Sequence, residues 1–210
     1  MMNNRTVVGF LGGPQGAGKG LTCDRIAEDH GSNIVILTMS GLLKHHRTSH
    51  GPHAELIARH MDVLHTLVPD DISIPIMEEG IESAIKKDHR YILCDGYPRN
   101  VTQARQVAGK LVGRSDIILV QVVLVTLDQV ADNNAANRSR GADDSPPGRE
   151  TRRKIYMEET VPAMKILTEG FGVPTLFLSS GVGDQYVRNA AMIAKLMLAV
   201  MGIERVEAML

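Results

Sequence analysis

Gly13-Pro14-Gln15-Gly16-Ala17-Gly18-Lys19-Gly20 stands between an apolar run, Thr6–Leu11, and a helical pattern that opens near Gly18 and ends near Gly31. Its first seven residues satisfy G-x-x-x-x-G-K, in the strand–turn–helix setting that the pattern requires. Glycines let backbone N–H groups converge on phosphate oxygens, the helix N-terminus adds a positive dipole end, and Lys19 neutralises terminal phosphates. The bland alternative is a glycine-rich turn that binds nothing. Strand, helix and lysine standing together argue against it.

Outward from this loop the same alternation continues. Asn33–Leu37, Tyr91–Cys94, Asp116–Val125 and Pro174–Leu178 read as four further strands. Helical spacing of apolar residues covers roughly Ile72–Lys87 and Asp184–Met201. The prediction is an α/β fold, a doubly wound five-stranded parallel sheet with ligands at the C-terminal strand ends. Two stretches break the rhythm. Residues 39–68 hold no strand and read as a small helical insertion; Asn133–Arg149, with Gly141, Pro146, Pro147 and Gly148, reads as a surface loop or short lid. Residues 1–210 then form one domain, its core being 1–38, 69–132 and 150–210.

Composition narrows the function classes. Lys and Arg number 23 against 24 Asp and Glu, so nothing draws the whole protein to nucleic acid or an anionic membrane. Two cysteines, Cys23 and Cys94, with no C-x-x-C pair exclude a disulfide framework and a thiolate zinc site. The N-terminus lacks the order of a signal peptide, and Ile117–Leu127 and Ala190–Ile203 are too short to span a bilayer. The expectation is a soluble cytoplasmic monomer. Six of the eight histidines fall between His45 and His65 and read as solvated helix surface. Met192, Met197 and Met201 are expected to fill core along the last helix, and Arg153 and Lys154 to face solvent.

Gly20, where the generic pattern has Ser or Thr, points to a subgroup: the loop resembles that of adenylate kinases and related nucleoside monophosphate kinases. Cys94-Asp95-Gly96-Tyr97-Pro98-Arg99, followed by Gln103, is similar to that family's D-G-[FY]-P-R-x-x-x-Q segment. Leu67-Val68-Pro69-Asp70-Asp71 is similar to its L-V-P-D-E, although Asp70 also reads as an ordinary helix cap. Gly141-Ala142-Asp143-Asp144, then Arg152, Tyr156 and Thr160-Val161-Pro162, resembles its short lid and following helix.

The resemblance implies a phosphotransferase using ATP and Mg²⁺, with a nucleoside monophosphate as acceptor. It implies that Gly13 to Leu21 and Arg138 bind ATP, and that Lys19 holds its β- and γ-phosphates. Asp95 would hold magnesium through water. Met39, Lys44, Leu67, Val68, Gly96, Tyr97, Pro98, Arg99 and Gln103 would form the acceptor site, with Arg99 and Lys44 on its phosphate and Gln103 on its base. Arg138, Arg140 and Arg152 would close over the transferring group. Physical chemistry agrees: a strand-end carboxylate suits hydrated Mg²⁺, and a guanidinium suits two phosphate oxygens at once.

The chain departs from the family at four places. Leu21 replaces a threonine; within Thr38–Lys44, Met39 replaces a threonine and Lys44 an arginine; Asn134 stands where an arginine would pack on the donor adenine; and Arg140-Gly141 reverses the usual Gly-Arg. AMP is the expected acceptor, with GMP, CMP, UMP or another small acceptor as alternatives. A different class of reading is a nucleotide-binding regulatory protein with weakened catalysis.

Overall fold

The computed structural model describes residues 5–31, 33–49, 51–64, 66–138, 145–181 and 183–207, with the backbone alone at 138, 198 and 200–207. Five strands, β1 (Thr6–Gly12), β2 (Ile34–Thr38), β3 (Tyr91–Asp95), β4 (Ile117–Val125) and β5 (Thr175–Ser179), form one sheet in the order β2-β3-β1-β4-β5. Every pairing is parallel. The strand expectations therefore hold, each to within a residue or two at the ends.

Alternation along β1 feeds two cores, because successive side chains leave opposite faces of a strand. Val8 and Phe10 pack with Ile76, Met77 and Ile81 of α4 (Asp70–Lys86) and Ala104, Val107 and Ala108 of α5 (Val101–Leu111). Val7 and Leu11 pack with Cys23 and Ile26 of α1 (Lys19–His30) and Ala190, Ile193, Ala194 and Met197 of the last helix (Gln185–Glu207). Helices on both faces make the sheet doubly wound, and none of the described helices is long and apolar enough to cross a membrane.

Within residues 39–68 the described elements are helical and include no strand: α2 (Met39–Thr48), α3 (Ala54–Ala58) and a π-helical continuation, Arg59–Leu64. The loop expected over Asn133–Arg149 is not a loop at either end. Asn133–Arg138 completes α6 (Asp128–Arg138), whose Ala131 and Ala135 are buried. Pro146–Arg149 opens α7 (Pro146–Ile155), where Ser145 Oγ accepts from the Gly148 N–H at 3.2 Å and proline occupies the first helical position. That polar composition was a helix start, not a coil. Residues 139–144, including Arg140 and Gly141-Ala142-Asp143-Asp144, lie outside the described residues.

The methionine expectation needs a similar correction. Met197 is fully buried but Met192 is 48% exposed, because five residues along a helix turn the side chain well over a quarter-circle away. The side chain of Met201 is outside the description.

Candidate active site

Strand register brings the separate motifs to one edge. Leu11 pairs with Asp95, and Asp95 pairs with Thr38, so the glycine-rich loop, the Asp95–Arg99 turn and the start of α2 all leave the sheet side by side.

The loop closes on itself through Lys19, whose Nζ donates to the carbonyls of Gly13 at 2.7 Å and Pro14 at 2.8 Å. Gly18, at φ 81°, caps α1 without any side-chain bond, so no side chain of that residue competes for the first helical N–H groups. The outer side of the loop is braced. Ser180 Oγ donates to the Ala17 carbonyl at 2.7 Å. Asn134 Nδ2 donates to the carbonyls of Gly16 at 3.1 Å and Gly181 at 2.7 Å. In the sequence Asn134 stands out only as a missing arginine; its amide in fact joins α6, the loop and the segment after β5. Leu21 is 54% exposed, an apolar side chain beside the loop.

Asp95 ends β3 with its Oδ1 buried and without a hydrogen-bond partner among the described residues. Its charge adds to burial in pushing the Cys23 thiol far above its ordinary value, while Lys19 pulls it down, so both charges reach the start of α1. A carboxylate oxygen withdrawn from water with no donor fits a cation or a cation-bound water. The site therefore suits Mg²⁺.

Arg99 is held from three sides. Its Nε donates to the Gly96 carbonyl at 2.9 Å, its N–H donates to Gln103 Oε1 at 2.8 Å, and its carbonyl accepts from Thr160 Oγ1 at 3.0 Å. Gly96 has φ 73°, and a Cβ there would meet Arg99 Nη2 at 2.8 Å, so glycine lets the guanidinium lie over the turn. Tyr97 and Pro98 are buried beneath it, joined by a cis peptide. Burial, then the charge of Glu78, pushes the Tyr97 phenol well above its ordinary range. Gln103 is only 3% exposed, and Nε2 donates to Asp70 Oδ1 at 2.9 Å and Ser73 Oγ at 3.2 Å.

Asp70 is not the cap that its position suggested. Pro69 occupies the N-cap of α4, and the Asp70 carboxylate faces Asn100 and Gln103 instead. Its partners lie some thirty residues away, and no local pattern signals them. Of the residues expected on the acceptor side, Met39 and Val68 are buried, Leu67 is half-buried and Lys44 is exposed. Arg152 lies half-buried on α7, whereas Arg153 is ion-paired to Asp128 and ties α7 to α6. Arg138 ends α6, its side chain outside the description, so the structure does not bring the three expected closing arginines into view together.

Comparison with known proteins gives matches over most of the chain. A family model described as adenylate kinase matches residues 10–169. An adenylate kinase of Parvibaculum lavamentivorans is 33% identical over 159 residues, 73% of this chain and 75% of the relative. One from Prochlorococcus marinus is 34% identical over 165 residues, 77% and 82% of the two chains. Adenylate kinase isoenzyme 1 of Caenorhabditis elegans is 29% identical over 155 residues, 74% and 71% of the two.

Proposed function

Because the chain belongs to the adenylate kinase family, we propose that it is a nucleoside monophosphate kinase that converts ATP and AMP into two molecules of ADP. The observation that carries this reading is the convergence of the Lys19 loop, Asp95 and the anchored Arg99 at adjacent strand ends. A phosphate oxygen of AMP attacks the γ-phosphorus of ATP in line, the bond to the bridging β,γ oxygen breaks, and ADP leaves. The attacking oxygen is already ionised near neutral pH, so no general base is required. Catalysis then rests on position and charge.

In this reading Lys19 exchanges the Gly13 and Pro14 carbonyls for the donor's β- and γ-phosphates. The loop amides hold the remaining oxygens. Arg99 and Lys44 grip the acceptor phosphate, and Lys44 does so as a point charge without the planar fork of arginine. Arg138, Arg140 and Arg152 close over the transferring group as residues 39–68 and 133–149 move in and exclude water. Asp95 would hold magnesium through its water shell, where the ion would neutralise charge on the donor phosphates.

The test is phosphoryl transfer from MgATP to AMP, GMP, CMP and UMP in parallel, with Lys19→Ala as control. AMP turnover that vanishes in the control supports the proposal. Turnover of another monophosphate alone would reassign the acceptor. ATP binding without turnover on any acceptor would replace the kinase by a nucleotide-binding module.

A further inference from the structure

We propose that Asp70 is a positioning residue that ties the return of residues 39–68 into the core to the phosphate clamp at Arg99. The inference rests on the kinase reading and extends it to a residue outside the expected nucleotide contacts.

Asp70 opens α4 two residues after Val68, where the helical insertion rejoins the sheet. Its Oδ1 accepts from Asn100 Nδ2 and Gln103 Nε2, each at 2.9 Å, and Oδ2 accepts from Asn100 Nδ2 at 3.1 Å. Asn100 Oδ1 caps α5 by accepting from the Gln103 N–H at 2.9 Å. Gln103 Oε1 accepts from the Arg99 N–H at 2.8 Å. One carboxylate thus orients the side chains of Asn100 and Gln103, and through Gln103 it fixes the peptide that carries Arg99.

An acidic residue in the first turn of a helix has an ordinary use, complementing the helix dipole. That use requires no partner on another helix. Here the carboxylate is directed at two amide side chains of α5, and bonds to an ionised acceptor are roughly twice as strong as neutral ones. Gln103 has no amide hydrogen left over, since Nε2 serves Asp70 and Ser73. Any contact between that amide and an acceptor base must therefore release Asp70 or Ser73. Movement of the insertion, which changes the approach of Asp70, is felt at Gln103 and Arg99 together.

The experiment measures KM and equilibrium affinity for AMP and for ATP in the wild type, Asp70→Ala and Asp70→Asn, alongside thermal unfolding. Asp70→Ala takes the carboxylate acceptor away from the buried Gln103 amide and the half-buried Asn100 amide, and the expected result is a rise of about tenfold in KM and dissociation constant for AMP. The values for ATP should stay within about twofold. Asp70→Asn keeps Oδ1 as an acceptor for Gln103 and should recover part of the loss; it also serves if Asp70→Ala does not fold. Equal weakening of both nucleotides, or unchanged AMP affinity in a folded variant, overturns the proposal while the kinase reading stands. A wild type that binds no monophosphate removes both.

Discussion

A methyl group on Gly16 would lie 1.9 Å from the carbonyl oxygen of Ala131. The turn of the phosphate loop is pressed directly on the backbone of α6, which has no flexible side chain there to give way. Gly18 has the same kind of backbone, φ 81° against 82°, but nothing lies within 4 Å of its would-be Cβ. The pair separates steric contact from conformational strain. Gly18→Ala should suffer only the left-handed penalty, roughly 1–2 kcal/mol, and keep measurable ATP binding. Gly16→Ala must displace α6 or the loop and should weaken ATP binding by about a hundredfold or more. Equilibrium ATP binding with thermal unfolding checks both, and equal effects would refute the close approach.

In the proposed mechanism Lys19 and Arg99 divide the substrates between them. Loss of one preorganised charge contact typically lowers turnover on the order of a hundredfold or more. Lys19→Ala and Arg99→Ala should each reach that range with the fold intact, Lys19→Ala through the donor and Arg99→Ala through the acceptor. Near-normal turnover in either variant, measured with saturating nucleotide, argues against this site.

The phosphate loop, the five strands and the Asp95–Arg99 turn were legible because each is a local pattern: alternating apolar runs, glycine spacing, and residue types at a strand end. What holds those parts in place was not legible. Asp70 meets Gln103 across 33 residues and Ser180 meets Ala17 across 163, so no window of sequence contains both partners. Asn134 registered as a departure from a family pattern, yet its amide bridges Gly16 and Gly181. The polar composition around Ser145 hid a helix start, since capping residues and turn residues are the same chemical types.

Cys23 and Cys94 give a pH dependence with a definite sign. Burial is the main cause in both, and it pushes each thiol far above its ordinary value in the folded protein. Unfolded thiols ionise near pH 8.5. Below about pH 8 both states keep the protons, so the stabilisation is fully present. As pH rises through the unfolded value the unfolded chain binds fewer protons than the folded one, and stability falls. Two thiols give a slope approaching about 2.7 kcal/mol per pH unit. Urea unfolding between about pH 7 and 9.5 should show the decline, and replacing both cysteines by alanine should flatten it. A wild-type profile that stays level contradicts the burial of these groups.

Asn134 carries the last prediction. Its single side-chain amide spends its donors on the Gly16 and Gly181 carbonyls, while Ser180 Oγ donates to the Ala17 carbonyl. Two successive loop carbonyls are thereby tied to α6 and to the segment after β5, while the intervening Ala17 N–H turns back onto the Pro14 carbonyl at 3.3 Å, so the shape of the loop is fixed from outside. Asn134→Ala removes two neutral hydrogen bonds, each contributing roughly 0.5–1.5 kcal/mol, so the KM for ATP should rise about tenfold with the AMP value little changed. Asn134→Asp keeps the size but sets carboxylate oxygens against two carbonyls, and repulsion adds to the loss. Donor kinetics should therefore rank wild type ahead of Asn134→Ala, and Asn134→Ala ahead of Asn134→Asp. A variant order in which aspartate outperforms alanine would mean that the amide does not brace the loop.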